Sequence, residues 1–238
     1  MTEALSRRAF LHVSGVAAAG ITLAACGTAP AAPQTSAGAE APVANPKQAL
    51  QRLMEGNQRY VASKTLPLNE SESRRTEVAQ GQHPFATIFS CVDSRVPPEL
   101  IFDRGLGDLF VIRTAGHVID KAVLGSLEFA IAELQIPLMM VLGHEKCGAV
   151  KATVEAVEQN AHAEADIEWL VEGIRPAVEK SSGTPGDALD NAVKANIELT
   201  VQRLKASPIL SEAIEAGQLN IVGARYDLDT GSVEMVVS

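Results

Sequence analysis

Two short segments hold the side chains able to do chemistry: Cys91-Val92-Asp93-Ser94-Arg95 and His144-Glu145-Lys146-Cys147. Two thiolates and one imidazole make a soft nitrogen-and-sulfur set that suits zinc. Three protein ligands leave a fourth position open, the pattern of a catalytic rather than a structural ion. The other histidines are His12, which lies in the N-terminal segment discussed below, and His83, His117 and His162, none of which has ligand-like spacing to a cysteine. Two thiolates formally cancel the charge of Zn²⁺, so such an ion polarises its water less than one held by neutral imidazoles. The site therefore needs added charge and hydrogen bonding. Asp93 and Arg95, just beyond Cys91, are placed to supply them. An arginine fork orients a carboxylate and keeps it ionised. If the arginine released it, the same carboxylate could close the fourth position and give an inactive state.

These residues need elements that bring them together. Each segment follows an apolar run, Phe85-Ala86-Thr87-Ile88-Phe89-Ser90 and Pro137-Leu138-Met139-Met140-Val141-Leu142-Gly143. Runs of this length suit the centre of a parallel sheet. Ligand sites in open parallel sheets collect beyond the carboxyl ends of the strands. Two strands can thus deliver both thiolates and the imidazole to one place. A further strand is expected over 108–113, helices over 121–134, 147–160, 165–180 and 187–205, and a hairpin from 219 to 237. The helix after Cys147 points its N-terminus at the metal, and its partial positive charge favours a thiolate there. Pro46 opens a helix with Asn45 as N-cap. The stretch 65–77 reads as polar loop, and Trp169 as a packing residue.

C-x-D-S-R followed by H-x-x-C resembles the β-class carbonic anhydrases. Arg113-Thr114-Ala115-Gly116 is similar to that family's R-N-A-G turn, and Gly125-Ser126-Leu127-Glu128-Phe129-Ala130 to its G-S-x-E-Y-A helix. Leu142-Gly143-His144 and Cys147-Gly148-Ala149 resemble its second ligand segment. The resemblance covers the chain from Pro46 onward. It implies an α/β fold, a mostly parallel sheet flanked by helices, with an N-terminal helical arm and a C-terminal hairpin. It implies one Zn²⁺ on Cys91, His144 and Cys147, catalysis assisted by Asp93 and Arg95, CO₂ and bicarbonate as substrates, and a dimer or tetramer. Gln82, Phe110, Ala115 and Gly148 fall at the family's substrate-binding positions. Thr114 and His117 stand where asparagine is common, and Phe129 where tyrosine is common. His117 reads either as a proton shuttle or as a surface or turn residue. Without the tyrosine hydroxyl, Gln82 is expected to be less well held. A helix packed on its own domain remains an alternative to the arm.

Ser6-Arg7-Arg8-Ala9-Phe10-Leu11 resembles a Tat export signal. The apolar stretch that follows ends in Leu23-Ala24-Ala25-Cys26-Gly27, which resembles a bacterial lipobox with Cys26 as the lipidated residue. The alternative is a cleaved soluble signal with Cys26 incidental. The expected organisation is an export signal over 1–25, an unstructured tether over 26–45, and one zinc-dependent domain over 46–238. The expected location is the outer face of the cytoplasmic membrane or the periplasm. Export in the folded state would let zinc load onto reduced thiols first.

The formal net charge of −9 argues against a nucleic-acid partner. Two other readings stay open. One is hydrolysis of carbon disulfide or carbonyl sulfide on the same scaffold. The other is a non-enzymatic exported binding lipoprotein in which Cys91 and Cys147 form a disulfide.

Overall fold

The computed structural model describes Pro42, Val43 and residues 45–238. The export signal, Cys26 and nearly all of the tether lie outside the described residues. Among the described residues five strands form one sheet: β1 (Ala86–Cys91), β2 (Leu109–Thr114), β3 (Leu138–His144), β4 (Asn220–Tyr226) and β5 (Val233–Val237). Their order is β2-β1-β3-β4-β5. The first four are parallel, and β5 returns antiparallel on β4. This is the mostly parallel α/β architecture expected, with the hairpin at its edge.

Among the described residues eight helices flank the sheet: α1 (Pro46–Val61), α2 (Glu72–Val78), α3 (Pro98–Ile101), α4 (Lys121–Ala132), α5 (Gly148–Glu158), α6 (Ile167–Ser181), α7 (Ala188–Lys205) and α8 (Pro208–Glu215). A 3₁₀ turn, Ala115–His117, follows β2. β1 and β3 are buried along their whole length, as central strands between helical layers must be. One face of the sheet turns Phe89, Met139, Val141 and Ile221 toward Leu127, Val150, Ile174, Val193 and Ile197. The other turns Ile88, Met140, Leu142 and Val222 toward Ala49, Leu53, Ile101 and Phe102. Among the described residues no helix is long and apolar enough to cross a membrane.

Chain order explains where the site forms. From β1 the chain moves outward to β2, then returns to place β3 on the other side of β1. β1 and β3 thus flank the point where the strand order reverses. Connections leave such neighbours in opposite directions and open a crevice at their carboxyl ends. Cys91 ends β1 and His144 ends β3.

Two local expectations are corrected. The stretch 65–77 is not all loop, because Ser71 caps α2 by accepting from the Arg74 amide. Its helix buries no residue, so no apolar stripe announced it. Trp169 is not a packing residue but is 63% exposed. In α1 the buried positions are Ala49, Leu53, Gly56 and Asn57. The helix lies so close to α3 that a Cβ on Gly56 would collide with the Phe102 carbonyl. Small residues therefore face inward. α1 begins at Pro46 under an Asn45 cap, as expected, and packs on its own chain.

Candidate metal centre

Cys91, His144 and Cys147 meet at the carboxyl ends of β1 and β3. Their candidate ligand atoms lie within 4.8 Å of one another, and all three residues are buried. The two sulfurs are 4.0 Å apart and both thiols are free, so the disulfide reading is not what the fold presents. His144 Nδ1 donates to the Glu145 carbonyl at 2.8 Å. That bond fixes the proton on Nδ1 and leaves the Nε2 lone pair bare. Nε2 is buried with no hydrogen-bond partner. A bare imidazole nitrogen beside two sulfurs is a cost that a metal ion removes. The donor set fits zinc.

The two thiols titrate as a pair. Cys91 is held well below the ordinary thiol range, first by the hydrogen bond from Cys147, against burial, with help from the Gly116 and Asp93 backbone amides. The Gly116 N–H reaches the Cys91 sulfur at 3.4 Å. Cys147 is pushed up, first by that same bond to Cys91 and then by burial, since a second buried thiolate would sit beside the first. Amides at the start of α5 oppose this: Cys147 is its N-cap, and the Val150 and Ala149 N–H groups favour the thiolate. A divalent cation would remove the repulsion and allow both to ionise.

Asp93 lies beside this group, its Oδ2 3.9 Å from His144 Nε2. Arg95 grips it with a fork, Nε to Oδ1 at 2.9 Å and Nη2 to Oδ2 at 2.8 Å, and the Arg95 amide adds a bond to Oδ1 at 3.0 Å. The Arg95 hydrogen bonds hold the Asp93 carboxyl far below the usual carboxylate range. Arg113, quoted above only as part of a turn motif, proves to build the loop. Its Nε donates to the Cys91 carbonyl at 2.8 Å and its Nη2 to the Asp93 carbonyl at 2.7 Å. Its acceptors are backbone carbonyls, which every residue carries, so the sequence held no local signal of this role.

The other expected site residues divide by their place on the strands. Ala115 opens the 3₁₀ turn after Thr114, which pairs with Cys91, and Gly148 opens α5 next to Cys147. Both are at the crevice. Phe110 pairs with Thr87, four positions back along β2 and on the same sheet face as Cys91, or ~13 Å below it at ordinary strand rise. Gln82 precedes β1, and its neighbours Gly81 and His83 line a cavity with Phe85 and Pro137 at the amino ends of β1 and β3, the end of the strand opposite Cys91. Within one chain neither reaches the crevice. His117 is buried with 2% exposure, which corrects the surface reading. Its pKa is lowered to about 4 by burial, so it stays neutral near pH 7 and is poorly suited to carry protons to solvent.

The sequence model for carbonic anhydrase matches residues 86–233. The chain is 44% identical to carbonic anhydrase 2 of Mycobacterium tuberculosis (strain CDC 1551 / Oshkosh) over 191 residues, covering 80% of this chain and 92% of that protein. It is 41% identical to a carbonic anhydrase of Mycolicibacterium smegmatis over 195 residues, covering 82% and 95% respectively. Among solved structures, the Coccomyxa β-carbonic anhydrase in complex with acetazolamide superimposes with a TM-score of 0.62 at 29% identity, covering 79% of this chain and 86% of that one. The β-carbonic anhydrase CcaA gives 0.63 at 27% identity, covering 79% and 99%. With the Cys91, His144 and Cys147 group built on that fold, the chain belongs to the β-class carbonic anhydrase family.

Proposed function

We infer that this enzyme, a zinc-dependent carbonic anhydrase that interconverts CO₂ with bicarbonate and a proton, relies on the Asp93–Arg95 pair to orient its nucleophile. The observation that carries this reading is the ionised carboxylate held 3.9 Å from the bare His144 nitrogen. Zinc on Cys91, His144 and Cys147 supplies Lewis acidity that makes water a competent nucleophile near neutral pH. Arg95 occupies both carboxylate oxygens from one side. The lone pair of Oδ2 facing His144 is left to accept a hydrogen bond from the attacking water. That bond holds the remaining lone pair of the oxygen toward CO₂. Arg113 fixes the carbonyls that flank Val92, so Asp93 cannot drift from the ligand at Cys91. Gly148 opens onto free space at the start of α5, where its backbone N–H can donate to a bicarbonate oxygen.

Gln82 and Phe110 enter this reading through a second copy of the chain. β2 is an edge strand whose residues are all half-buried, and Phe129 on the neighbouring α4 is 45% exposed. An apolar open edge of this kind favours pairing with another copy. Such pairing would carry Gln82 and Phe110 from one chain to the crevice of the other. We propose further that Arg7-Arg8 directs export and that Cys26 carries a lipid, with the residues to Asn45 as tether. Loss of labelled fatty-acid incorporation in Cys26→Ser is the expected result, and unchanged incorporation would overturn the anchor.

Stopped-flow CO₂ hydration on the chain from Gly27, with zinc assayed in the same sample, tests the central reading. Turnover with about one zinc per chain is expected. Stoichiometric zinc with turnover of carbon disulfide but not CO₂ would replace the substrate assignment.

A further inference from the structure

One buried cluster beside the metal centre is used by none of the steps above. The 3₁₀ turn Ala115–His117 carries two successive left-handed residues, Gly116 with φ 59° and His117 with φ 46°. Glycine adopts this region freely, but histidine there is strained by about 1–2 kcal/mol. The strain persists because the turn is held from outside. Asn196, buried on α7, donates its side-chain amide to the Gly116 carbonyl at 2.9 Å and to His117 Nε2 at 3.0 Å. Its two N–H groups are thus spent on two consecutive residues, one backbone and one side chain.

Gly116 is closely packed. A Cβ at this position would lie 2.6 Å from Ile174 Cδ1 and 3.2 Å from Ala149 Cβ. Its backbone nitrogen lies 3.4 Å from the Cys91 sulfur and donates to it. The His117 ring is wedged edge-on against Phe89, with ring centroids 6.1 Å apart. Its Cε1 lies 3.4 Å from where a Cβ of Gly143 would stand, next to the ligand His144. Asn196 reaches these residues from 79 and 80 positions away in sequence. The bond it makes to Nε2 requires the neutral ring, which burial enforces.

We propose that Asn196 and His117 are positioning residues whose hydrogen-bonded clamp presses the Gly116 amide onto Cys91 and so limits how much charge that thiolate donates to the metal. An N–H bonded to sulfur withdraws electron density from it, and a less donating thiolate leaves the ion a stronger Lewis acid. This matters most in a set where two thiolates already neutralise the cation. Hydrogen-bonded supports of this kind typically change affinity or activity by about 10–100-fold when removed. The inference rests on the zinc assignment to Cys91, His144 and Cys147.

The test uses the full enzyme with cobalt in place of zinc, because its sulfur-to-cobalt charge-transfer band reports thiolate donation directly. Asn196→Leu removes both amide bonds at similar volume. His117→Asn keeps a residue that tolerates the left-handed backbone but is too short to meet Asn196. In both variants the band should move to longer wavelength. In the zinc enzymes the midpoint of the pH–rate profile should rise, lowering kcat/KM about tenfold on the acidic limb. If Asn196→Leu does not fold, Asn196→Ser, too short for either acceptor, takes its place. An unmoved band and midpoint in either variant, with only the melting temperature lowered, would overturn the clamp. A cobalt-loaded parent enzyme with no sulfur band at all would show the zinc assignment itself to be wrong.

Discussion

Cys91 and Arg95 separate metal binding from catalysis. Cys91→Ser replaces one of three ligands with a poor donor for zinc. The purified variant should carry far less than one zinc per chain by metal analysis, whereas retention of a full equivalent would remove Cys91 from the ligand set. Arg95→Ala should keep its zinc, because no ligand is touched. It should lose most CO₂ hydration, by about 10²-fold or more, since an unheld Asp93 can turn toward the metal and no longer orients the nucleophile. Stopped-flow rates near those of the parent would dismiss the pair. The carboxylate itself is a safe anion: the Arg95 fork holds it far below neutral pH, so its ionisation does not shape activity across the physiological range.

The elements that carry the ligands are braced from two sides. The turn between β4 and β5 holds the His144–Cys147 loop. Glu145 Oε2 accepts the Leu228 amide at 3.3 Å and Lys146 Nζ meets Asp229 at 2.9 Å. That turn is pinned to α1 by Asn57, which donates to Gly231 O at 2.9 Å and Ile101 O at 3.2 Å and accepts from the Val233 N–H at 3.0 Å. Asn57→Ala would leave three backbone groups without their partner in a buried place. We expect destabilisation of about 2–4 kcal/mol, read as a lower denaturant midpoint. On the other side, Gly116→Ala must fit a Cβ against Ile174 at a left-handed φ. Stability should fall by about 1–3 kcal/mol, and zinc should be held less tightly in a chelator competition, because the Gly116 amide contacts Cys91.

For the whole molecule, acid sensitivity and assembly are the informative measurements. His117 has a folded pKa lowered to about 4 by burial, below the ordinary value of about 6.5. The unfolded chain therefore binds this proton first as pH falls. Stability from the neutral buried ring is full above about pH 6.5 and drains away down to about pH 4, by on the order of 3 kcal/mol. Over that window the stability of His117→Asn should fall less steeply than that of the parent in denaturant titrations at each pH. Parallel slopes would contradict the buried neutral ring. Assembly can be probed by mixing. If Gln82 of one copy serves the crevice of another, Gln82→Leu and Cys91→Ser chains should recover activity when refolded together. No gain over the sum of the separate samples would place Gln82 outside the site.

The ligands themselves were legible because their chemistry is local. A thiolate or imidazole at the end of an apolar run announces a site whatever the rest of the chain does, and buried strands β1 and β3 are continuous apolar segments. The same locality made Asp93 and Arg95 readable, two residues apart in sequence and joined by their own side chains. Tertiary structure alone decided what lies in contact across long separations. Asn196 and Asn57 are polar residues within helical patterns, with no local sign that each satisfies buried backbone from another element. His117 reads as a turn residue until α7 closes over it. Gln82 and Phe110 match a pattern of positions, but strand rise puts them at the far end of the sheet from Cys91. Sequence determines the donors and the strands that end in them, through composition and periodicity. Packing decides which distant groups brace those donors, because buried hydrogen bonds are set by approach in space.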